Sequence, residues 1–309
     1  MSLLVVGSVA LDSVETPFGS RDEALGGSAV YFSHAACLLH PVQVVGVIGS
    51  DFPSGILERL GKRGVDLSGI EKAAGESFRW KGKYSYDLQN RDTIDTRLGV
   101  FADFNPKIPD RFRDAKYVFL GNIDPELQLS VLAQIKRPEL VACDTMNYWI
   151  NGKRDVLLEL LRQIDVLLVN DAEARELSGD WNVYRAARWI LERGPTVAVI
   201  KQGVYGAVLV EHNRVFYVPA YPLEDVFDPT GAGDSFAGGF MGHLARTGDA
   251  SPANLRRAMV YGSAMGSFAV ERFSTERFDE IGVAEVTERV REFAELVRFE
   301  IEPEAGGGL

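Results

Sequence analysis

The chain has 309 residues, 46% of them apolar and 25% charged, which is a globular composition with enough length for one large core. Acidic residues outnumber basic ones by 44 to 33, and the resulting net charge of -11 repels a polyphosphate backbone and argues against nucleic acid as a partner. The two cysteines, Cys37 and Cys143, lie in apolar runs and give no disulfide or metal framework, while no apolar run approaches the roughly eighteen residues of a membrane span, so a cytoplasmic setting is expected.

In chain order, short β-branched runs begin at Leu3 (LLVVG), Val42 (VQVVGVIG), Tyr117 (YVFLGN), Leu140 (LVAC), Val166 (VLLVN) and Val197 (VAVIK). Continuous apolar runs of this kind suit strands buried on both faces. Helical patterns lie between them: SAVYFSHAACLL, GILERLGKRG, PELQLSVLAQI, RDVLLELLRQI and NVYRAARWILERG. The alternation predicts a three-layer α/β fold with a mostly parallel central sheet. Two polar, extended segments interrupt it, about 12–24 and 77–104. They read equally as a small β lid or as an antiparallel edge extension of the main sheet. A single domain over 1–300 is expected, with those segments inserted and the tail 301–309 disordered.

The chemistry concentrates in DPTGAGDSFAGGFMGHLA, Asp228 to Ala245. Glycines at 231 and 233 allow a tight turn into an apolar helix, and a helix N-terminus reached through such a turn accepts phosphate oxygens. Asp234 stands where the turn enters the helix. Two readings follow from residue chemistry: a general base beside an anion site, or a helix N-cap on a plain turn.

DPTGAGDSFAGGF resembles the C-terminal signature of the PfkB, or ribokinase-type, carbohydrate kinases. The opening LLVVGSVALD, the diglycine Gly26-Gly27 and VGVIGSDFPSG resemble further segments of that family in the expected order, although Gly55 comes one residue late. The resemblance covers the chain to about residue 295. It implies a ribokinase-like kinase domain that transfers the γ-phosphoryl group of ATP to a hydroxyl of a sugar or sugar-like molecule. Asp234 is then the base, and the backbone of Gly231, Ala232 and Gly233 forms the anion site. Asp12, Gly26 and Gly27 would hold the substrate.

Asn170 and Glu173 in LVNDAEARELSG match the family's N-x-x-E motif, which implies a hydrated Mg²⁺; the same letters also suit an acidic helix N-terminus. VIKQGVYGAVLV resembles the family's K-x-G-x-x-G hairpin, placing Lys201, Gly203 and Gly206 beside the nucleotide, as Thr230 would be; a solvated hairpin lysine is the plainer alternative. Part of the helix at 254–270 would face adenine. A monovalent cation such as K⁺ is a further expectation of the resemblance.

Two departures matter. Tyr31 occupies the position where sugar kinases of the family commonly carry a substrate-binding asparagine. VACDTMNYW offers Asp144 and Asn147 where relatives often show D-x-N-x-R, without its arginine. Arg79, Arg91 and Arg97 are candidates to replace that cation, with Arg91 placed on the substrate side. None of His34, His40, His212 and His243 has metal-ligand spacing. Nucleoside phosphorylation is the main alternative, with Tyr31, Phe101 or Trp80 stacking on a base. A non-catalytic sensor is disfavoured by the intact GAGD stretch, and a nicotinamide enzyme by the absence of G-x-G-x-x-G spacing. Exposed lid edges allow two copies to pair as a homodimer.

Overall fold

A computed structural model describes residues 2–53, 55–88 and 90–298; the expected tail at 301–309 lies outside them. The chain begins with β1 (Leu3–Val6), β2 (Ala10–Thr16), β3 (Gly19–Gly26), α1 (Ser28–Ala36), β4 (Val42–Ile48), α2 (Ile56–Lys62) and β5 (Val65–Lys72). Next come β6 (Phe78–Tyr84), β7 (Arg91–Arg97), β8 (Tyr117–Leu120), α3 (Pro125–Leu132), β9 (Leu140–Asp144), α4 (Asn147–Gly152), α5 (Arg154–Leu161), β10 (Val166–Asn170), α6 (Asp171–Ser178) and α7 (Val183–Leu191). β11 (Val197–Lys201), β12 (Ala207–Glu211), β13 (Arg214–Val218), α8 (Ala232–Thr247), α9 (Pro252–Ala269), α10 (Glu276–Glu280) and α11 (Val283–Leu296) complete it.

The nine-stranded sheet has the order β13-β12-β11-β10-β9-β8-β1-β4-β5. β12 and β13 run antiparallel to their neighbours, and the other pairings are parallel. Alternation along each strand divides the core. Leu3, Val5, Phe119, Leu168 and Val199 face one layer with Phe32, Phe236, Phe240 and Leu255 of α1, α8 and α9. Leu4, Val6, Val118, Leu167 and Val169 face the other with Val131, Leu157, Leu177 and Ile190 of α3, α5, α6 and α7. Phe32 and Phe119 stack at 4.5 Å across the first layer, a contact worth about 0.5–1.5 kcal/mol beyond the area it buries. Both faces are therefore covered, which is why the central strands are predominantly apolar.

A second sheet, β3-β2-β6-β7, stands apart from the first. β2 pairs antiparallel with β3 and parallel with β6, which pairs antiparallel with β7. Every residue of β7 is exposed, and among the described residues its outer edge has no strand beside it. The segments at 12–24 and 77–104 thus meet in one small sheet rather than extending the edge of the large one. Of the cysteines, Cys143 is fully buried and Cys37 only half-buried.

Candidate active site

Asp144, Asn170 and Lys201 are the last residues of β9, β10 and β11, three adjacent parallel strands, so the sheet delivers them to one edge. Open α/β sheets bind ligands at that carboxyl edge. Lys201 Nζ lies 3.3 Å from Asp144 Oδ2, with both side chains largely buried. Burial opposes the charge on Lys201, but Asp144, Glu173 and Asp234 outweigh it and raise its pKa. Lys201 is therefore a held cation, not a solvated hairpin lysine. Its ammonium also flanks the glycine turn, since a Cβ on Gly233 would stand 3.0 Å from Nζ. Gly203 and Gly206 shape the link between β11 and β12, where the Gln202 amide donates to the Gly206 carbonyl at 2.7 Å.

Asn170 ends β10 and caps α6. Its Oδ1 accepts from the Glu173 amide, and Glu173 Oε2 accepts from the Asn170 amide, each at 2.8 Å. This capping box ties down half of the N-x-x-E pair, so the acidic helix N-terminus and the proposed metal position coincide. Burial, then the Asp144 carboxylate, raises the Glu173 pKa, against Lys201.

Gly231 is the N-cap of α8 and adopts a left-handed φ of 75°, with no side chain capping the helix. The Tyr31 ring fills the space beside it: a Cβ on Gly231 would meet ring carbons at 2.3 Å. Asp234 is the third residue of α8, so the cap belongs to Gly231 and not to Asp234. The first-turn amides of a helix lack intrahelical acceptors and sit at the positive end of its dipole. The Ala232 amide reaches the Pro229 carbonyl at 3.3 Å. Asp234 has an upward-shifted pKa, from burial first and Asp144 second, while Lys201 and Arg91 pull it down. Part of Asp234 remains open to solvent, which moderates the effect of burial.

On the other side of the turn, Asp12 is 6% exposed, and its carboxyl occupies the space that a side chain at Gly26 would need. Burial, then Asp228, pushes its pKa up to about 7, opposed by the amide of Gly27, the N-cap of α1. Tyr31 is 2% exposed and its hydroxyl has no hydrogen-bond partner. Burial, followed by Asp12 and Asp228, raises the pKa of that phenol well above its ordinary value.

A polar chain ties the small sheet to the turn. The Thr230 hydroxyl donates to the Tyr84 hydroxyl at 3.1 Å, and the Thr230 amide donates to Asp228 Oδ1 at 2.9 Å. Asp228 Oδ2 accepts from the Ser274 amide at 3.1 Å, and the Ser274 hydroxyl donates to the Leu25 carbonyl at 2.5 Å. Thr230, assigned to the nucleotide from sequence, here engages the small sheet. Sequence reasoning missed Tyr84, which sits among polar residues without a motif, and gave Asp228 no role although it opens the DPTGAGD stretch.

The three arginines of the small sheet separate. Arg79 is ion-paired with Glu23 and Asp51, both at 2.7 Å, and Arg97 with Asp95 at 3.1 Å. Arg91 lies opposite Tyr84 across β6 and β7, and its charge acts on Asp12, Glu173 and Asp234. Asn147 is exposed on α4 and donates to Glu176, outside the cluster formed by Asp144, Glu173, Lys201 and Asp234. His34 and His243 are packed side chains, His243 bonding Asn254 at 3.0 Å.

Among the described residues, no group of three or more histidine, cysteine or acidic side chains forms a metal cage. Asp144, whose oxygens accept from the Thr145 amide and from Lys201, and Glu173, with one oxygen on the Asn170 amide, form a sparse oxygen donor set. That fits Mg²⁺, which keeps several waters and takes its remaining ligands from phosphates.

Comparison with known proteins is consistent with this geometry. A profile described as "pfkB family carbohydrate kinase" matches residues 20–280. A nucleoside kinase of Methanothermobacter thermautotrophicus is 35% identical over 291 residues, 89% of this chain and 91% of that protein. A cytidine kinase of Thermococcus kodakarensis is 32% identical over 253 residues, 80% of this chain and 89% of that protein. A solved E. coli protein assigned as a ribokinase II, in complex with ATP and Mg²⁺, superposes with a TM-score of 0.76 at 20% identity, over 94% of this chain and 99% of that one.

Proposed function

This chain belongs to the pfkB family of carbohydrate kinases and is an ATP-dependent sugar or nucleoside kinase, and from that premise we propose that its acceptor is a ribose hydroxyl of a nucleoside, deprotonated by Asp234. The observation that carries the mechanism is the placement of the Asp234 carboxylate in the first turn of α8, beside the Gly231–Gly233 backbone and the Lys201 ammonium. The oxygen to be phosphorylated loses its proton to Asp234 as its bond to the γ-phosphorus forms. The bond from that phosphorus to the bridging oxygen breaks, and ADP leaves with the electron pair. Helix amides and Lys201 stabilise the charge on the transferring group.

A bound Mg²⁺ would supply positive charge against the phosphates of ATP. Asp144 and Glu173 would hold its waters. The raised pKa of Asp234 suits a base working near neutral pH, and the charge on Lys201 draws it back down. Asp12, with Gly26 and Gly27, would hold the ribose hydroxyls. Gly203, Gly206 and Thr230 remain on the proposed nucleotide side, and activation by a monovalent cation such as K⁺ is part of the same reading.

The small sheet acts as a lid in this reading, and Arg91 supplies the cation absent after Asp144. The nucleoside reading rests on the names of the two relatives and on Tyr31, whose flat buried ring replaces a polar amide. The free outer edge of β7 supports pairing of two copies through the lid. ADP release measured with nucleosides and with free pentoses and hexoses tests the substrate. Nucleosides should give kcat/KM at least tenfold higher; a preference for free sugars would reject the nucleoside assignment and leave the kinase mechanism standing.

A further inference from the structure

Arg91 is exposed, and an unsupported arginine side chain loses roughly 2 kcal/mol of rotamer freedom when it is fixed on a ligand. The structure contains a support for it. Trp80 of β6 does not project straight from the sheet but lies along the strand over Gly82. A Cβ on Gly82 would meet indole carbons at 2.1, 2.4 and 2.9 Å, so the flat pose exists only because residue 82 has no side chain. The indole nitrogen donates to the Thr93 hydroxyl at 3.4 Å, and Thr93 pairs with Gly82 across the ladder. The Arg91 guanidinium carbon stands 5.4 Å from the ring centroid, within cation–π range. Tyr84, the cross-strand partner of Arg91, bears on the guanidinium from its side and bonds Thr230 in the catalytic turn.

We propose that Trp80, laid flat by Gly82, is a positioning residue that orients Arg91 toward the transferring phosphoryl group, so that the lid delivers the cation the Asp144 loop lacks. The inference rests on the reading of Arg91 given above and adds to it how the side chain is aimed. The other two arginines of this sheet are paired instead, Arg79 with Glu23 and Asp51 and Arg97 with Asp95. Glycine within a strand ordinarily weakens it, so its presence at a buried lid position is explained by the indole it accommodates.

The test is a double-variant cycle on the full-length enzyme, with steady-state kinetics and thermal unfolding for each form. Arg91→Gln is expected to lower kcat roughly 10²–10³-fold, the effect of removing one preorganised donor to developing charge, with the nucleoside KM changed much less. Gly82→Ala reduces unfolded-state freedom but displaces the indole, and is expected to shift the melting temperature by no more than a few degrees. It should still cut kcat by up to roughly 10²-fold, because displacing Trp80 by about an ångström misplaces Arg91. The combined variant should be no slower than Arg91→Gln alone. Trp80→Phe, which keeps a π face, should retain more activity than Trp80→Leu. Normal turnover of Gly82→Ala, or losses that multiply in the combined variant, would overturn the positioning role while leaving Arg91 in place. Normal kcat in Arg91→Gln would remove both the role of Arg91 and the inference built on it.

Discussion

The carboxylates around the glycine turn differ in what holds them, and each predicts a different behaviour. Asp12 has a folded pKa of about 7 against an ordinary 3.8, so the folded state retains its proton more firmly than the unfolded chain. Its contribution to stability is complete below the unfolded pKa and is lost as pH rises toward 7. Asp12→Asn should therefore gain stability relative to wild type between pH 4 and about 7, with no further gain above; a difference independent of pH would contradict the buried carboxyl. Glu173 is divided between the Asn170 amide and the proposed Mg²⁺ waters. Glu173→Gln keeps an acceptor for the capping box, so the fold should be retained. Removing the negative charge should raise the Mg²⁺ concentration for half-maximal rate several-fold, read from a metal titration of the initial rate.

At the level of elements, the catalytic turn and the small sheet are joined through Tyr84 and Thr230. Tyr84→Phe removes one hydrogen bond worth roughly 0.5–1.5 kcal/mol and leaves the ring. If the sheet closes on substrate, this variant should raise the nucleoside KM by about 2- to 10-fold with less effect on kcat. In wild type, hydrogen exchange over residues 78–97 should slow when nucleoside and a non-hydrolysable ATP analogue are bound. Identical exchange with and without ligands would contradict closure. Legibility differs between elements for physical reasons. β1, β4 and β8 to β11 are readable because burial on both faces makes them continuously apolar. β5, VDLSGIEK, is not, because it is an edge strand with polar, partly exposed residues. The turn at Gly231 and Asp234 is readable as a local glycine pattern. The Trp80, Gly82 and Arg91 arrangement is not, because it depends on which strand pairs with which.

At the scale of the whole molecule, the acidic balance of the sequence is also the balance of the site. Asp144, Glu173 and Asp234 surround one held ammonium, Lys201, while Asp12 and Asp228 add two more carboxyls on the far side of the turn and Arg91 acts from the small sheet. A site of this charge binds a nucleotide polyanion poorly without a metal, so chelation of Mg²⁺ should abolish turnover. The exposed β7 edge predicts self-association, and sedimentation should give a mass near twice that of the 34.0 kDa chain. A monomer at all concentrations would contradict pairing through the lid. The central claim, phosphoryl transfer with Asp234 as base, is tested most directly by nucleoside-dependent ADP release in Asp234→Asn, alongside its ATP affinity and melting temperature. Asparagine preserves the shape of the first turn of α8 but accepts a proton poorly, and the account predicts a kcat lower by roughly 10²–10⁴-fold with ATP binding and stability retained. A well-folded Asp234→Asn enzyme turning over at near wild-type rate would contradict it.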